Sequence, residues 1–245
     1  MKTKLLSKGN PKTLKGEKKG YLTYILHLAP AKLSGYQVCP MATAGCKSAC
    51  LNTAGRGGIF KKGDTTNIIQ QARIRKTKLF FEQREFFMNT LHNEIEKAIV
   101  YAEKKGLIPV FRLNGTSDIA WEKIRVKGYR NIFNAFPAIQ FYDYTKVFGR
   151  SSIPSNYHIT FSKAESNGRH VKKSIIRGIN VAVVFASKVL PKTYLGKKVV
   201  NGDESDLRFL DNPNSIVGLY AKGLAKKDTS GFVVHAPNAF WNLGF

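Results

Sequence analysis

Every cysteine of the chain lies in one stretch, "CPMATAGCKSACLNTAGRGG", with the spacing Cys39-x6-Cys46-x3-Cys50. Three clustered thiols in one loop suit a metal site better than a disulfide framework, which needs an even set. A zinc ribbon would show paired C-x2-4-C knuckles and four protein ligands. Here Cys39 stands too far away for a knuckle, and a fourth ligand would have to come from the histidines, with His27 nearest in sequence. An iron–sulfur cluster, 4Fe-4S in particular, accepts three thiolates and leaves one iron open. Ala42, Ala44, Gly45 and Ala49 let the backbone wrap close to such a cluster and aim N–H groups at its sulfides. Gly55, Arg56 and Gly57 follow as candidate cofactor-binding residues at the open iron. Zinc and free redox-active thiols are the alternatives.

Other polar sets accompany the loop. In "FRLNGTSDIAWE", Asn114 and Asp118 are spaced i and i+4 across a turn, where they serve either a ligand or, with Ser117, a helix cap. In "FYDYTK", strand alternation sends Tyr142, Tyr144 and Lys146 to one face and Asp143 and Thr145 to the other. A charged residue pointing into a barrel is costly unless paired, which marks Asp143 and Lys146 as candidates. The catalytic candidates are therefore Asn114, Asp118, Tyr142, Asp143 and Lys146, with Ser117 beside the cofactor. Asp203 and Asp206 read as an exposed acidic turn, and Lys222 as an anion contact or a surface lysine.

These groups need elements to position them. "YLTYILHLAP" reads as the first strand, closed by a proline. "GDTTN" caps a long helical tract in which Phe87, Leu91, Ile95 and Ile99 share one face. Arg73, Arg75, Lys76 and Lys78 line a polar face of the same tract. Strands follow in "LIPVFRLNG", "IQFYDYTKV", "YHITFSKAE", "NVAVVFAS", "KKVVNGD", "SIVGLYAKG" and "GFVVHAP". Helices are expected over "WEKIRVKGYRNIFNAFP" and "SNGRHVKKSIIRGI". Strands interleaved with helices predict an α/β fold with mostly parallel strands, a TIM-like (βα) barrel or partial barrel. Functional groups then collect past the carboxyl ends of the strands, at one mouth. Residues 1–20 form a mobile basic arm, and 21–245 a single domain carrying the cysteine loop 39–58.

The chain has 245 residues, 43% hydrophobic and 11% aromatic, enough for a sizeable core. No apolar run reaches the roughly 18 residues of a membrane span, and the basic N-terminus lacks a signal-peptide core. No membrane partner is expected, and the cytoplasm is the expected location. Forty Lys and Arg against 16 Asp and Glu give a formal charge of +24. A field of that sign attracts nucleic acid or a phosphorylated substrate.

"CPMATAGCKSACL", "FRLNGTSDIAWE", "FYDYTKV", "NGDESDLRFLD" and "GLYAKG" together resemble the gene product 88 family of phage and plasmid proteins. Some of its members are labelled rolling-circle replication initiator-like. The resemblance covers roughly residues 21 to 222. It implies a phage-encoded protein acting in the bacterial host cytoplasm, and it implies no activity. A replication-initiator nuclease would need a catalytic tyrosine, for which Tyr142 and Tyr144 offer themselves, and a His-hydrophobe-His pair, which this sequence lacks. Three cysteines after the first strand of a barrel also resemble, more distantly, the radical S-adenosylmethionine barrels. That likeness implies S-adenosylmethionine at the open iron, although the C-x3-C-x2-C spacing of those enzymes is not present.

The combined expectation is an iron–sulfur protein with Cys39, Cys46 and Cys50 as ligands and one iron open at a barrel mouth. An enzyme of this kind performs redox, radical or Lewis-acid chemistry. The alternative class is a zinc-stabilised nucleic-acid-binding protein without catalysis.

Overall fold

Alternation along "IPVFR" and "QFYDYT" sends successive side chains to opposite faces of a sheet. Both segments are strands in the computed structural model, which describes residues 4–8, 11–60 and 65–235. Among the described residues the sheet has ten strands: β1 (Leu6–Ser7), β2 (Tyr21–Leu26), β3 (Ile108–Arg112), β4 (Gln140–Thr145), β5 (Tyr157–Ser162), β6 (Val181–Phe185), β7 (Thr193–Tyr194), β8 (Lys197–Asn201), β9 (Ile216–Tyr220) and β10 (Val233–Val234). Their order is β1-β2-β3-β4-β5-β6-β9-β8-β7, with β10 also paired to β6. From β2 across to β8, neighbours run parallel. Only β1 and β7, at the two edges, are antiparallel to their partners.

The fold is thus α/β with a mostly parallel sheet, but the sheet does not close into the expected barrel. The chain between β6 and β9 is spent on the β7–β8 hairpin. The connection from β8 to β9 holds a short 3-10 turn, Arg208–Leu210, in place of an outer helix. That connection folds across the sheet, where Leu207 packs with Val110 and Tyr142, flanked by Tyr21 and Phe209. The two residues of "NGDESD" expected on an exposed turn are drawn in with it. Asp206 is buried, and Asp203 pairs with Lys222.

The other face is covered by helices. The expected helical tract is two helices, α3 (Ile68–Glu82) and α4 (Arg84–Glu103), which meet at Gln83, where φ is −137° and ψ 58°. Phe87, Leu91 and Ile95 are fully buried and Ile99 is partly buried, as their spacing predicts. Asn67 caps α3, its Oδ1 accepting from Gln70 N at 3.0 Å. Gly63 and Asp64 of the expected cap lie outside the described residues. The helix expected over "WEKIRVKGYRNIFNAFP" does not form. Its place is taken by a 3-10 turn at Trp121–Lys123 and a short helix, Ile132–Ala135. Lys127 and Gly128 both take left-handed φ, at 45° and 81°, which a helix cannot carry. Trp121 turns into the core against Phe80 and Phe87. A helix at Gly168–Ile176 covers β5 and β6, as expected from "SNGRHVKKSIIRGI".

Where residues 4–8 and 11–20 are described, the N-terminal segment packs on the fold. Leu5 and Leu6 are buried, and both backbone N–H groups donate to the Glu94 carboxylate at 2.8 Å. A helix at Pro11–Glu17 packs on β2. Among the described residues, no helix is long and apolar enough to cross a membrane.

Candidate metal centre at the carboxyl edge

The cysteine loop leaves β2 and lies over the carboxyl ends of the parallel strands, where loops after β3, β5 and β9 meet it. The Thr43 hydroxyl caps the short helix Ala44–Ser48 by accepting from Cys46 N at 3.2 Å. It also donates to Glu165 Oε2 at 2.7 Å, while Gly45 N donates to Glu165 Oε1 at 2.7 Å. Glu165, just past β5, thereby clamps the loop at two points. A Cβ at position 45 would sit 2.9 Å from Glu165 Oε2 and overlap Ser230 Oγ, so any larger residue there has to displace the Glu165 and Ser230 side chains. Ala49 packs with Ala221, Ala225 and Val233.

The sheet itself parts beneath this point. β5 pairs with β6 only through Phe161↔Val181 and Ser162↔Ala182, after which β10 takes over with Val233↔Val184 and Val234↔Phe185.

All three thiols are free and partly buried. Cys39 Sγ accepts from Ala31 N at 3.4 Å and lies 3.8 Å from Thr116 O. Cys50 Sγ accepts from Asn52 N at 3.5 Å. Burial pushes the Cys39 thiol up to about 11 against the Ala31 N–H, and Cys50, Asp118 and Cys46 add to the rise. Burial also raises Cys50; the Asn52 N–H opposes it, Cys46 adds to it, and Lys146 and Arg73 lower it. Cys39 and Cys50 are thus held as neutral thiols, with Lys146 and Arg73 on the Cys50 side. Arg73 is fixed there by Asn52 Oδ1 at 2.5 Å. Lys76 on the same helix turns inward to Leu5 O at 2.7 Å, while Arg75 and Lys78 face solvent.

Among the described residues, no three His, Cys, Asp or Glu side chains close on one point as the ligands of a single ion would. His27 is held neutral, its pKa lowered to about 3 by burial and then by Arg73, Arg112 and Lys76. Its Nδ1 lies 3.4 Å from Ser7 Oγ.

The remaining candidates divide by what their side chains already hold. Asn114 Oδ1 accepts from Ser117 Oγ, Ile119 N and Trp121 Nε1 at 2.9–3.1 Å, so Asn114 and Ser117 build their own turn. Asp118 accepts from Thr145 Oγ1 at 2.7 Å and Lys146 N at 2.8 Å, and its N–H donates to Val38 O at 2.8 Å. It ties the cysteine loop to the end of β4. Asp143 accepts from Asn114 N at 2.8 Å and Tyr157 Oη at 3.0 Å. Burial raises its pKa to about 7, against Arg112, the Asn114 N–H and Tyr157. Tyr142 is fully buried with its hydroxyl 3.4 Å from Asp206 Oδ2, out of reach of a nucleic-acid strand. Lys146 lies on the Cys50 side of the loop, with Nζ 5.6 Å from the Phe232 ring centroid.

The glycine segment forms a 3-10 turn, Gly55–Gly58, with Arg56 exposed. The Gly57 carbonyl is taken by Asn67 Nδ2 at 2.9 Å and Gln70 Nε2 at 3.0 Å.

Three groups important to the edge escaped sequence reasoning. Glu165 is the last residue of "YHITFSKAE", and no motif marks it. Arg112 pairs with Asp206 at 3.0 Å inside the fold. Burial disfavours its charge, yet Asp206, Tyr144 and Asp143 outweigh that and raise its pKa. Arg150, held by both oxygens of Glu122, reaches Asp118 at 3.9 Å. The one available signal was the scarcity of acids: in so basic a chain, an acid at a strand end has a partner.

A family model described as gene product 88 matches residues 4–236. The chain belongs to that family. No curated protein and no solved structure matches it.

Proposed function

We propose that this protein binds an iron–sulfur cluster through Cys39, Cys46 and Cys50 and works at the carboxyl edge of its sheet on a nucleic acid or phosphorylated substrate. The observation that carries the reading is the gathering of all three partly buried thiols in one loop that Glu165 clamps at two points. A cluster of several irons spreads its thiolates further apart than a single zinc ion does, in keeping with ligands that share a region without closing on one point. Lys146 and Arg73 offset the negative charge that three thiolates bring. The sequential parallel strands support a partial-barrel reading, with the cluster at its open mouth. When bound, such a group supplies an iron open to a small ligand, and with it redox or Lewis-acid chemistry. The chain's own part is to bury the thiols, hold the loop through Glu165 and Asp118, and present cations to an anionic substrate. Cytoplasmic action, where thiols stay reduced, completes the reading.

The test is purification without oxygen, a visible spectrum, and assays of iron, acid-labile sulfide and zinc. Expected are a brown protein with iron and sulfide, and loss of the colour in Cys46→Ala. Colourless protein with stoichiometric zinc and no sulfide would replace this reading with the zinc-stabilised binding protein. A shift of the cluster spectrum on adding S-adenosylmethionine would identify that molecule as the ligand of the open iron.

A further inference from the structure

A cavity of about 350 Å³ opens at the carboxyl ends of β6, β8 and β9, lined by Lys15, Lys188, Asn201, Asp203, Tyr220 and Lys222. We propose that it binds the phosphate of a single nucleotide unit, with Tyr220 against the sugar or base. The inference rests on reading the carboxyl edge as the working face.

The lining carries three lysines and a single carboxylate, and that carboxylate is committed. Asp203 Oδ2 accepts from Tyr220 N at 2.7 Å, and Oδ1 holds the Lys222 ammonium. Asp203 therefore fixes Lys222 in the wall through its carboxylate and Lys15 through its carbonyl, and leaves Lys188 to an incoming anion. Lys15 reaches in from the N-terminal helix, its Nζ 3.1 Å from Asp203 O. Lys188 and Lys226 stand over the Tyr220 ring at 5.8 and 5.7 Å from its centroid. An aromatic ring among lysines is the combination that receives a base or sugar together with its phosphate. The volume lies at the lower end of the range for small-ligand sites, about 300–1,000 Å³, which suits one nucleotide rather than a length of strand.

The position links the cavity to the thiols. Gly223, next after Lys222, packs on the cysteine loop so closely that a Cβ there would lie 3.2 Å from Thr53 O. A substrate anchored here by its phosphate is held next to the loop that carries the ligands.

The experiment is calorimetric titration of the full chain with a nucleoside monophosphate, the matching nucleoside and inorganic phosphate. Lys188→Glu sits on an exposed side chain and leaves the core untouched. It should weaken the monophosphate tenfold or more, whereas Lys172→Ala with Lys173→Ala, on the helix Gly168–Ile176, should leave it within twofold. Inorganic phosphate should compete, and the nucleoside alone should bind at least tenfold more weakly. Equal loss in both variants, equal binding of the nucleoside, or no binding at low salt would each overturn the proposal. Assaying iron and sulfide in the same wild-type preparation separates the two readings. On the wild-type chain purified without oxygen, nucleotide binding with no iron or sulfide leaves the cavity standing and removes the cluster, and iron and sulfide with no nucleotide binding does the reverse.

Discussion

Acids are scarce in this chain, 16 against 40 Lys and Arg, and several stand where a strand ladder stops. β3 and β4 pair only at Val110↔Gln140 and Phe111↔Phe141, and beyond them the Asp143 carboxylate takes the N–H of Asn114. Asp118 does the same for Lys146 N, and Asp228 for Val233 N at 2.9 Å. A carboxylate accepting backbone N–H bonds replaces a missing strand, so the loops diverge without leaving buried donors unpaired. Glu165 applies this device to the cysteine loop. Burial alone would raise its pKa, but the bonds from Thr43 and Gly45 outweigh burial and lower it below the ordinary 4.5. A depressed carboxylate contributes stability that is complete above its unfolded value and is lost as pH falls through the folded one. Glu165→Gln should therefore flatten the acid limb of a urea-midpoint profile below about pH 4.5. Glu165→Ala should cost about 1–3 kcal/mol at pH 7 and reduce iron incorporation. An acid limb identical to that of the wild type would show that the clamp does not hold the loop.

Among the elements, α3 has the largest influence on the site, since its N-cap residue also braces the loop. Asn67 Nδ2 donates to the carbonyls of Gly57 and Ile59 at 2.9 Å while its Oδ1 caps the helix. Asn67→Ala should lose about 1–2 kcal/mol of stability from the cap and release the glycine turn, read as faster proteolysis near residues 55–60. Asn67→Asp keeps the cap and loses the carbonyl bonds, so it should retain most of the stability and show the same faster cleavage. Resistance to cleavage in both would refute the bracing role. Elements with local causes were legible in advance. The burial of Phe87, Leu91 and Ile95 follows from spacing, the two faces of "FYDYT" follow from alternation, and the three cysteines announce a loop. What escaped prediction depends on distant partners. Trp121 prefers the aromatic core to a helix of its own, and the segment from Gly202 to Asp211 crosses the sheet because Arg112 awaits Asp206. β10 is two residues long and gains meaning only where β5 leaves β6. The gathering of three cysteines at one edge was legible in the sequence, but the residues that hold their loop down were not.

For the whole molecule, a charge of +24 raises the question of whether polyanions bind everywhere or at one face. The fold places Lys146, Lys188, Lys222 and Lys226 after the ends of parallel strands, on the side that carries the cysteine loop, while Arg169, Lys172 and Lys173 ride on the helix covering β5 and β6. Binding to a single strand releases counterions, so log K falls linearly with log salt at about 0.7 per phosphate neutralised. Five contacts on a single strand would lower affinity by about 100-fold between 50 and 200 mM salt. If the carboxyl edge is the binding face, Lys146→Gln, Lys188→Gln and Lys226→Gln together should reduce the slope by about 2. Changing Arg169, Lys172 and Lys173 to Gln removes the same net charge from elsewhere and should leave the slope unchanged while lowering affinity only slightly. Fluorescence anisotropy of a labelled oligonucleotide across a salt series measures both. Equal slopes in the two triple variants would mean that the excess charge acts as a diffuse field, with no preferred face.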